Sequence, residues 1–262
     1  MTAEPPIQAD LALEMRGVSV NSMRDANVIS VEDVNWKVAP RDFWAVGGLY
    51  GSGRSDLLMM AGGLMGPASG AYHFFGNEMP IFEGERLPQR LRLGFVFNDG
   101  NLLNQLTVAQ NIALPLRYHR DLKVEDSDGD VQQLLKFTAL EEWANTTPGA
   151  MTRNWRKRAG LARALMLKPE VLLLDNPLTG LDLRHRNWWL NFLGELSRGH
   201  EWMNGKPLTL AISTDDFRPW QNVARQFAIV KDKHFTVLGA WEQLGAANDH
   251  LVKELHGPLQ TS

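Results

Sequence analysis

The hydrophobic positions of the chain alternate at its start and later change to helical spacing. Leu11–Val20 and Val28–Val38 alternate apolar and polar residues on either side of a polar turn, which predicts antiparallel strands. Phe43–Val46 is a short, wholly apolar run, typical of a buried strand. A glycine-rich stretch follows it, and then the apolar stretch Leu57–Met65. The predicted order is therefore strand, glycine loop and helix.

The rest of the chain mixes helical and strand-like patterns. Apolar residues at three- and four-residue spacing predict helices over Val108–Leu116 and Val131–Trp143, with an acidic turn, Val124–Asp130, between them. Pro169 closes an amphipathic helix. The other predicted elements are strands within 67–79 and over Leu91–Phe97, Val171–Leu174 and Leu208–Ile212, helices over Arg156–Leu167 and about Arg184–Leu196, a hairpin of Phe227–Val230 with Phe235–Val237, and a short helical tail. This layout predicts an α/β fold.

Composition and charge narrow the function. The 262 residues include 27 Lys and Arg against 30 Asp and Glu, a net charge of −3, which argues against a nucleic-acid partner. The lack of cysteine excludes disulfides, a thiolate zinc site and a cysteine nucleophile, and the seven scattered histidines predict no metal site. The first ten residues lack a signal-peptide pattern, and Leu57–Met65 is about half of the ~20 residues that a membrane span needs. We therefore expect a cytoplasmic protein.

The glycine-rich stretch has the spacing of a phosphate-binding loop. Gly48–Ser55 fits the pattern G-x-x-x-x-G-K-[ST], in which glycines let backbone N–H groups surround phosphate oxygens. Arg54 stands where the lysine would reach the phosphates, and Ser55 keeps a hydroxyl for Mg²⁺. Taken alone, the stretch is equally well explained as a plain turn between a strand and a helix.

Three blocks further along the chain favour the phosphate-loop interpretation. Leu172–Pro177 begins with an apolar strand, and Asp175 follows that strand. This acid can hold Mg²⁺ as a Walker B aspartate does. The block Leu178–Asp182 comes directly afterwards. Arg156–Leu165 precedes them. These blocks, in this order, resemble the nucleotide-binding subunit of ABC transporters over about residues 10 to 245. Within that family, the run VFNDGNLLNQLTVAQNIALPLRY and the run Arg156–Ala159 look most like the Mla/Mce-type lipid-trafficking ATPases. Their relatives in lipoprotein release and cell division are similar too.

The resemblance implies a P-loop NTPase fold of the ABC type. Its parts would be a RecA-like core with an antiparallel β-subdomain (10–98 and 151–240), a helical subdomain (99–150) and a C-terminal helical tail (241–262). The implied cofactors are ATP and Mg²⁺, if any nucleotide binds. The implied partners are a membrane permease and a second subunit, either a copy of this chain or an intact ATPase, at the cytoplasmic face of the inner membrane. The implied nucleotide-binding residues are Gly48, Gly51, Ser52, Gly53, Arg54, Ser55 and Asp56, with Ser55 and Asp175 for the metal and Gly180, Leu181 and Asp182 as the D-loop.

The chain departs from the family where the chemistry lies. Arg54 replaces the Walker A lysine, and a planar guanidinium does not occupy a phosphate nest as an ammonium does. Asp56 adds a carboxylate beside the loop, and Asn176 replaces the catalytic glutamate with an amide that cannot act as a general base. Asn98 stands at the glutamine position, and Asp215 stands at the switch histidine position. No aromatic residue stands near Asn21 and Ser22 to stack on adenine. The signature has lost its glycines and consists of Met151, Thr152, Arg153, Asn154 and Trp155.

These coincident changes predict a pseudo-ATPase with a structural or regulatory role. The alternatives are an active ATPase subunit with unusual motifs and a soluble P-loop-derived scaffold or regulator. Leu102, Leu103 and Leu106, called the loop leucines below, lie in the segment Asn98–Leu116, where the family meets its permease.

Two further groups favour a structural role over a binding role. Core packing explains the tryptophans better than a binding platform does. A solvated helix face explains the basic cluster better than a phosphate or anionic-lipid site does. These groups are Trp36, Trp44, Trp188 and Trp189, and Arg153, Arg156, Lys157 and Arg158.

Overall fold

The computed structural model describes residues 11–80, 84–120 and 124–257. Within them the strands are β1 (Leu13–Asn21), β2 (Ile29–Val38), β3 (Phe43–Gly47), β4 (Ser69–Phe74), β5 (Asn77–Glu78), β6 (Leu93–Val96), β7 (Val171–Leu174), β8 (Thr209–Thr214), β9 (Gln226–Lys231) and β10 (His234–Gly239). The α-helices are α1 (Arg54–Ala61), α2 (Leu87–Arg90), α3 (Val108–Arg120), α4 (Val124–Phe137), α5 (Arg153–Leu165), α6 (Leu183–Arg198), α7 (Trp241–Leu244) and α8 (His250–His256).

The chain forms two compact units. The first comprises residues 1–90 and 209–262, and the second comprises residues 91–208. The division into core, helical subdomain and tail that the family resemblance implies stays a prediction. The predicted tail includes residues 258–262, and the expected absence of a signal peptide concerns residues 1–10; both lie outside the described residues.

The first unit combines antiparallel and parallel strands in the order β5-β4-β1-β2-β10-β9-β3-β8. β1 pairs antiparallel with β2, as the alternation predicts, and also with β4. β3 runs parallel to both β8 and β9, and β9 and β10 form the predicted hairpin. Trp36 and Trp44 are buried and meet edge to face at 5.8 Å, which confirms core packing for this pair.

The second unit is built around the parallel pair β6 and β7. Leu93 lies opposite Val171, all four residues of β7 are buried, and α5 packs on β6 and on α3. Trp189 is buried as predicted, whereas Trp188 is only partly covered. The amphipathic helix α5 begins three residues earlier than its apolar pattern predicts.

One predicted turn is helical. The acidic segment Val124–Asp130 belongs to α4, which begins at Val124. The start of a helix carries partial positive charge, so an acidic run suits the first turns of a helix as well as a loop. The prediction of a turn at this place was therefore wrong. None of the helices in the described ranges is both long enough and apolar enough to cross a membrane.

Candidate functional site

The glycine loop joins β3 to α1 with the backbone shape that its glycines predict. Gly53 has φ +95°, and a Cβ there would lie 2.7 Å from Val31 Cγ2, so both conformation and space require glycine. Gly51 has φ +80° and has no atom within 4 Å of an added Cβ, which leaves the top of the loop open. The residues from Gly48 to Ser55 thus keep the frame of a phosphate loop.

The cation of this loop is directed at protein groups. Arg54 is 5% exposed, and its Nη1 donates to the carbonyl oxygen of Gly48 within the same loop. Its Nη2 lies 3.9 Å from Oδ2 of Asp215. Arg54 and Asp215, which the family resemblance matches to the lysine and the switch histidine, therefore face each other as an ion pair.

A second set of contacts ties the loop to the turn between β1 and β2. Asp56 Oδ1 accepts a hydrogen bond from the backbone N–H of Met23 at 3.1 Å, so the extra carboxylate has a structural partner. Arg24 donates from Nη2 to the hydroxyl of Tyr50 at 2.7 Å, although Tyr50 is 85% exposed. Neither Asn21 nor Ser22 has an aromatic ring, so no ring at these two positions could stack on adenine.

In the second unit, the backbone is left-handed at the second residue after β7. Asp175, buried at 6% exposure, follows the last residue of β7, and its N–H donates to Val96 O at 2.9 Å. Asn176 follows with φ +48°, a conformation that asparagine tolerates better than most residues. The family resemblance matches this residue to the catalytic base, and its neutral amide cannot accept a proton from water.

Lys157 holds this turn from α5. It is 1% exposed, and its ammonium donates to the carbonyl oxygens of Asn176, Pro177 and Thr179 at 3.1, 3.2 and 2.8 Å. A buried ammonium is stable only when its donors are satisfied, and three carbonyls meet that need. Lys157 is thus a structural clamp on the segment that leads to Gly180, Leu181 and Asp182.

Side chains of the signature-like stretch bind neighbouring motifs of the same unit. Arg153 donates from Nε to Asp99 Oδ1 at 2.5 Å and from Nη2 to Asn98 Oδ1 at 3.2 Å. Asn154 Nδ2 donates to Asp182 Oδ2 at 3.4 Å. Met151 is buried and Thr152 precedes the first residue of α5. The structure thus brings together the positions matched to the glutamine, the signature and the D-loop.

Arg158 lies between two indole rings. Its guanidinium carbon is 4.7 Å from the ring centre of Trp155 and 3.8 Å from that of Trp188. Burial, with the charge of Arg184 second, lowers the pKa of Arg158 to about 10. Burial, followed by the charge of Arg158, also lowers the pKa of His185, whose Nδ1 is 3.1 Å from Arg158 Nη2.

These contacts correct the interpretation of the basic cluster as a solvated face. Lys157 and Arg158 are buried, because carbonyl oxygens and indole rings replace their water. The signal was present in the helical spacing, since Lys157 shares a face with Leu161 and Leu165 at four-residue intervals. The other two residues, Arg153 and Arg156, are partly exposed.

The loop leucines belong to a segment with a fixed backbone. Asn111 is fully buried; its Oδ1 accepts from Leu103 N–H at 2.8 Å, and its Nδ2 donates to the carbonyls of Leu103 and Leu106 at 3.0 and 3.2 Å. Leu103 is 46% exposed, while Leu102 and Leu106 are partly covered. An apolar side chain is therefore presented on a rigid loop. The sequence analysis did not identify Asn111 as a residue that shapes this loop. The one available signal was its position on an otherwise apolar helix face.

At its start, the same segment is held against α5. Arg163 Nη2 donates to Gly100 O at 3.0 Å. A Cβ on Gly160 would lie 2.6 Å from Gly100 Cα, so the two backbones meet where both residues lack a side chain.

Comparison with known proteins gives the class. A family model described as ABC transporter matches residues 31–179, more than half of the chain. The chain is 25% identical, with a TM-score of 0.74, to the ATP-binding cassette MJ0796 in a dimeric post-hydrolysis structure bound to ADP and Pi, covering 85% of this chain and 95% of that one. CbiO1 from Clostridium perfringens, part of the ABC transporter complex cbiONQ, has the same fold at 22% identity, with a TM-score of 0.74, 90% of this chain and 91% of that chain covered. The chain belongs to the ABC transporter family and has the ABC-type P-loop NTPase fold.

Curated relatives narrow the likeness. The chain is 31% identical over 206 residues to the methionine import ATP-binding protein MetN 2 of Bacillus cereus, covering 78% of this chain and 59% of that protein. It is 35% identical over 161 residues to MetN of Bifidobacterium longum, covering 61% of this chain and 40% of that protein. The chain thus spans about three fifths or less of the length of these relatives. Their names give methionine import, not the lipid trafficking that the sequence pattern suggests.

Proposed function

We propose that this chain is the nucleotide-binding-type subunit of an ABC transporter, that it docks on a membrane permease, and that it does not hydrolyse ATP at an appreciable rate. The observation that carries the proposal is the orientation of Arg54. The guanidinium is buried, bound to its own loop at Gly48 and directed towards Asp215. The cation that would bind phosphates in the family is thus engaged by protein oxygen atoms.

The residues present do not fit a reacting magnesium–nucleotide complex. Asn176 offers no proton acceptor for an attacking water, and the loss of a general base alone costs about 10²–10⁴-fold in rate. Ser55 and Asp175 keep the side chains of metal ligands, and the glycine frame persists at Gly48, Gly51 and Gly53. The scaffold is therefore kept and the groups that carry the chemistry are replaced.

The proposed docking element is the rigid loop that Asn111 shapes. Its exposed Leu103 offers an apolar anchor. Its backbone needs no ordering on binding, because the Asn111 side chain accepts one hydrogen bond from it and contacts three of its carbonyl oxygens through Nδ2. A partner surface with an apolar cavity would suit it. We infer that the permease supplies that surface and that the subunit lies at the cytoplasmic face of the inner membrane.

The same proposal covers pairing and cargo. Two nucleotide-binding subunits would assemble on the permease, this chain with its own copy or with an intact ATPase. The relatives support methionine as cargo, whereas the sequence resemblance supports a lipid. Identification of the permease that co-purifies with the chain, followed by binding of labelled methionine or phospholipid to that complex, separates the two.

The alternative of an active ATPase has one observation in its favour. The Ser52 hydroxyl is buried in the loop and has no hydrogen-bond partner within the described residues, so it could receive a ligand oxygen. The third candidate, a soluble scaffold, would share the fold but would not co-purify with any permease.

An ATPase assay on the chain co-expressed with its permease tests the proposal. Phosphate release by the wild type should equal that of the Asp175→Asn variant, in which any remaining hydrolysis comes from contaminants. Calorimetric titration with ATP and Mg²⁺ should give no dissociation constant in the low micromolar range. Turnover well above the Asp175→Asn reference, or tight binding, would establish the active alternative.

A further inference from the structure

The segment that follows β8 forms a tight and well-packed turn. Thr214 Oγ1 accepts a hydrogen bond from the N–H of Asp216 at 3.2 Å and donates to its carbonyl oxygen at 2.9 Å. The indole N–H of Trp220 donates to the same hydroxyl at 3.2 Å. The backbone on both sides of Asp215 is therefore fixed by one threonine side chain.

The two neighbouring acids have different partners. The carboxylate of Asp216 accepts two hydrogen bonds from the guanidinium of Arg218, at 2.7 and 2.9 Å, and this contact raises the pKa of Arg218. Asp215 is not used in that pair and extends towards Arg54. The turn thus separates the two carboxylates and directs one of them at the glycine loop.

The turn is also anchored to the strand that leads into the loop. Thr214 lies opposite Gly47 in the parallel pairing of β8 with β3. The ring of Phe217 occupies the place of a side chain at Gly47, and Phe217 N–H donates to Leu255 O at 2.9 Å. The backbone that carries Asp215 is therefore held beside the strand that leads into the loop, while the Asp215 side chain itself is 55% exposed.

We propose that Asp215 supplies a built-in anion for the glycine loop. Its carboxylate takes, opposite Arg54, the place that a bound phosphate would take, and the loop keeps its anion-bound shape without nucleotide. This inference rests on the proposed function and deepens it, since it explains how the loop stays ordered in a subunit that needs no ATP. It also predicts competition, because a carboxylate at this place repels a second anion.

Amide hydrogen exchange of peptides that cover residues 48–56 tests the inference. In the Asp215→Asn variant these amides should exchange about two- to fivefold faster than in the wild type, the range expected from loss of a partly exposed ion pair. Asp232→Asn is the matched control, because it removes one charge from an exposed turn of the same unit where asparagine suits φ +49°. It should leave the exchange of 48–56 unchanged.

Inorganic tripolyphosphate without Mg²⁺ is the second probe. It should bind the Asp215→Asn variant at least tenfold tighter than the wild type and should slow the exchange of 48–56 in the variant only. Unchanged exchange in the variant, or equal binding to both proteins, would overturn the inference. Arg54→Lys gives an independent variant: its loop should also exchange faster than the wild type, and unaltered exchange would count against the pair. ATP hydrolysis by the wild type would instead refute the proposed function, and the exchange comparison would still report on Asp215.

Discussion

Replacement of Lys157 by methionine is the sharpest test of how the second unit is held together. Methionine keeps most of the volume of the side chain and removes the ammonium. The carbonyl oxygens of Asn176, Pro177 and Thr179 then lose a donor at 2.8–3.2 Å. Because β7 itself is buried on all four residues, we expect the effect to concentrate on the turn that follows it.

The size of the effect follows from the burial of each acceptor. The bond to Pro177 is buried, and an unsatisfied carbonyl there costs about 2 kcal/mol. The bonds to Asn176 and Thr179 are part-buried, so water recovers some of the loss and each costs about 1 kcal/mol. Because the variant no longer buries an ammonium, it avoids the desolvation cost of that charge, and this offsets part of the lost hydrogen-bond energy. The net destabilisation that we expect is about 2–3 kcal/mol.

Native-state hydrogen exchange measures this change locally, which suits a chain with two compact units. Amides in 175–182 should open roughly 30- to 150-fold more often in Lys157→Met, since each 1.4 kcal/mol is tenfold. Lys206→Met, an exposed site in the same unit, is the control and should change opening by less than about twofold. Equal protection in Lys157→Met and Lys206→Met would show that the ammonium does not hold the turn.

Three further results are expected. Replacing the loop leucines by serine should release the chain from the membrane fraction while its circular dichroism stays the same. The control Tyr118→Ser changes a residue of α3 that is 80% exposed, and it should leave the chain on the membrane. Retention of the triple variant on membranes would place docking elsewhere. Asn176→Glu alone should not restore ATP hydrolysis, because catalytic groups act as a unit; robust turnover by the purified variant would refute this. Asp249→Asn should destabilise the protein in urea at pH 7, because the hydrogen bond from Lys231 lowers the pKa of Asp249. The stability that the Asp249 carboxylate contributes is present above the ordinary aspartate pKa and is lost as pH falls through the lowered pKa. The difference should vanish in acid, and a difference independent of pH would contradict it.

The parts of the fold that sequence predicts are those that local patterns encode. β1 and β2 follow from alternation, the loop from its glycines, and the hairpin of β9 and β10 from two apolar runs across a polar turn. Each of these patterns involves residues that are close along the chain, so the amino-acid sequence alone is enough to predict the element.

The contacts that could not be predicted join distant residues. Lys157 meets carbonyls about twenty positions later, and Arg158 meets Trp188 thirty positions later. Helical spacing placed Lys157 on an apolar face, but it did not show which carbonyls or indole rings would replace water around Lys157 and Arg158. The contact of Arg54 with Asp215 was out of reach for the same reason: both substitutions were visible, but their pairing was not.

The approach of Gly100 to Gly160 limits how this chain can change over generations. A subunit that does not hydrolyse ATP, as proposed above, is free of catalytic selection at the positions that carry the chemistry in the family. The two glycines gain no such freedom, because any side chain on Gly160 would collide with the backbone of Gly100, and no change at Gly100 makes room for it. In descendants of this chain, drift should therefore spare these two positions. Loss of either glycine would mark a chain in which α5 no longer packs on the backbone at Gly100.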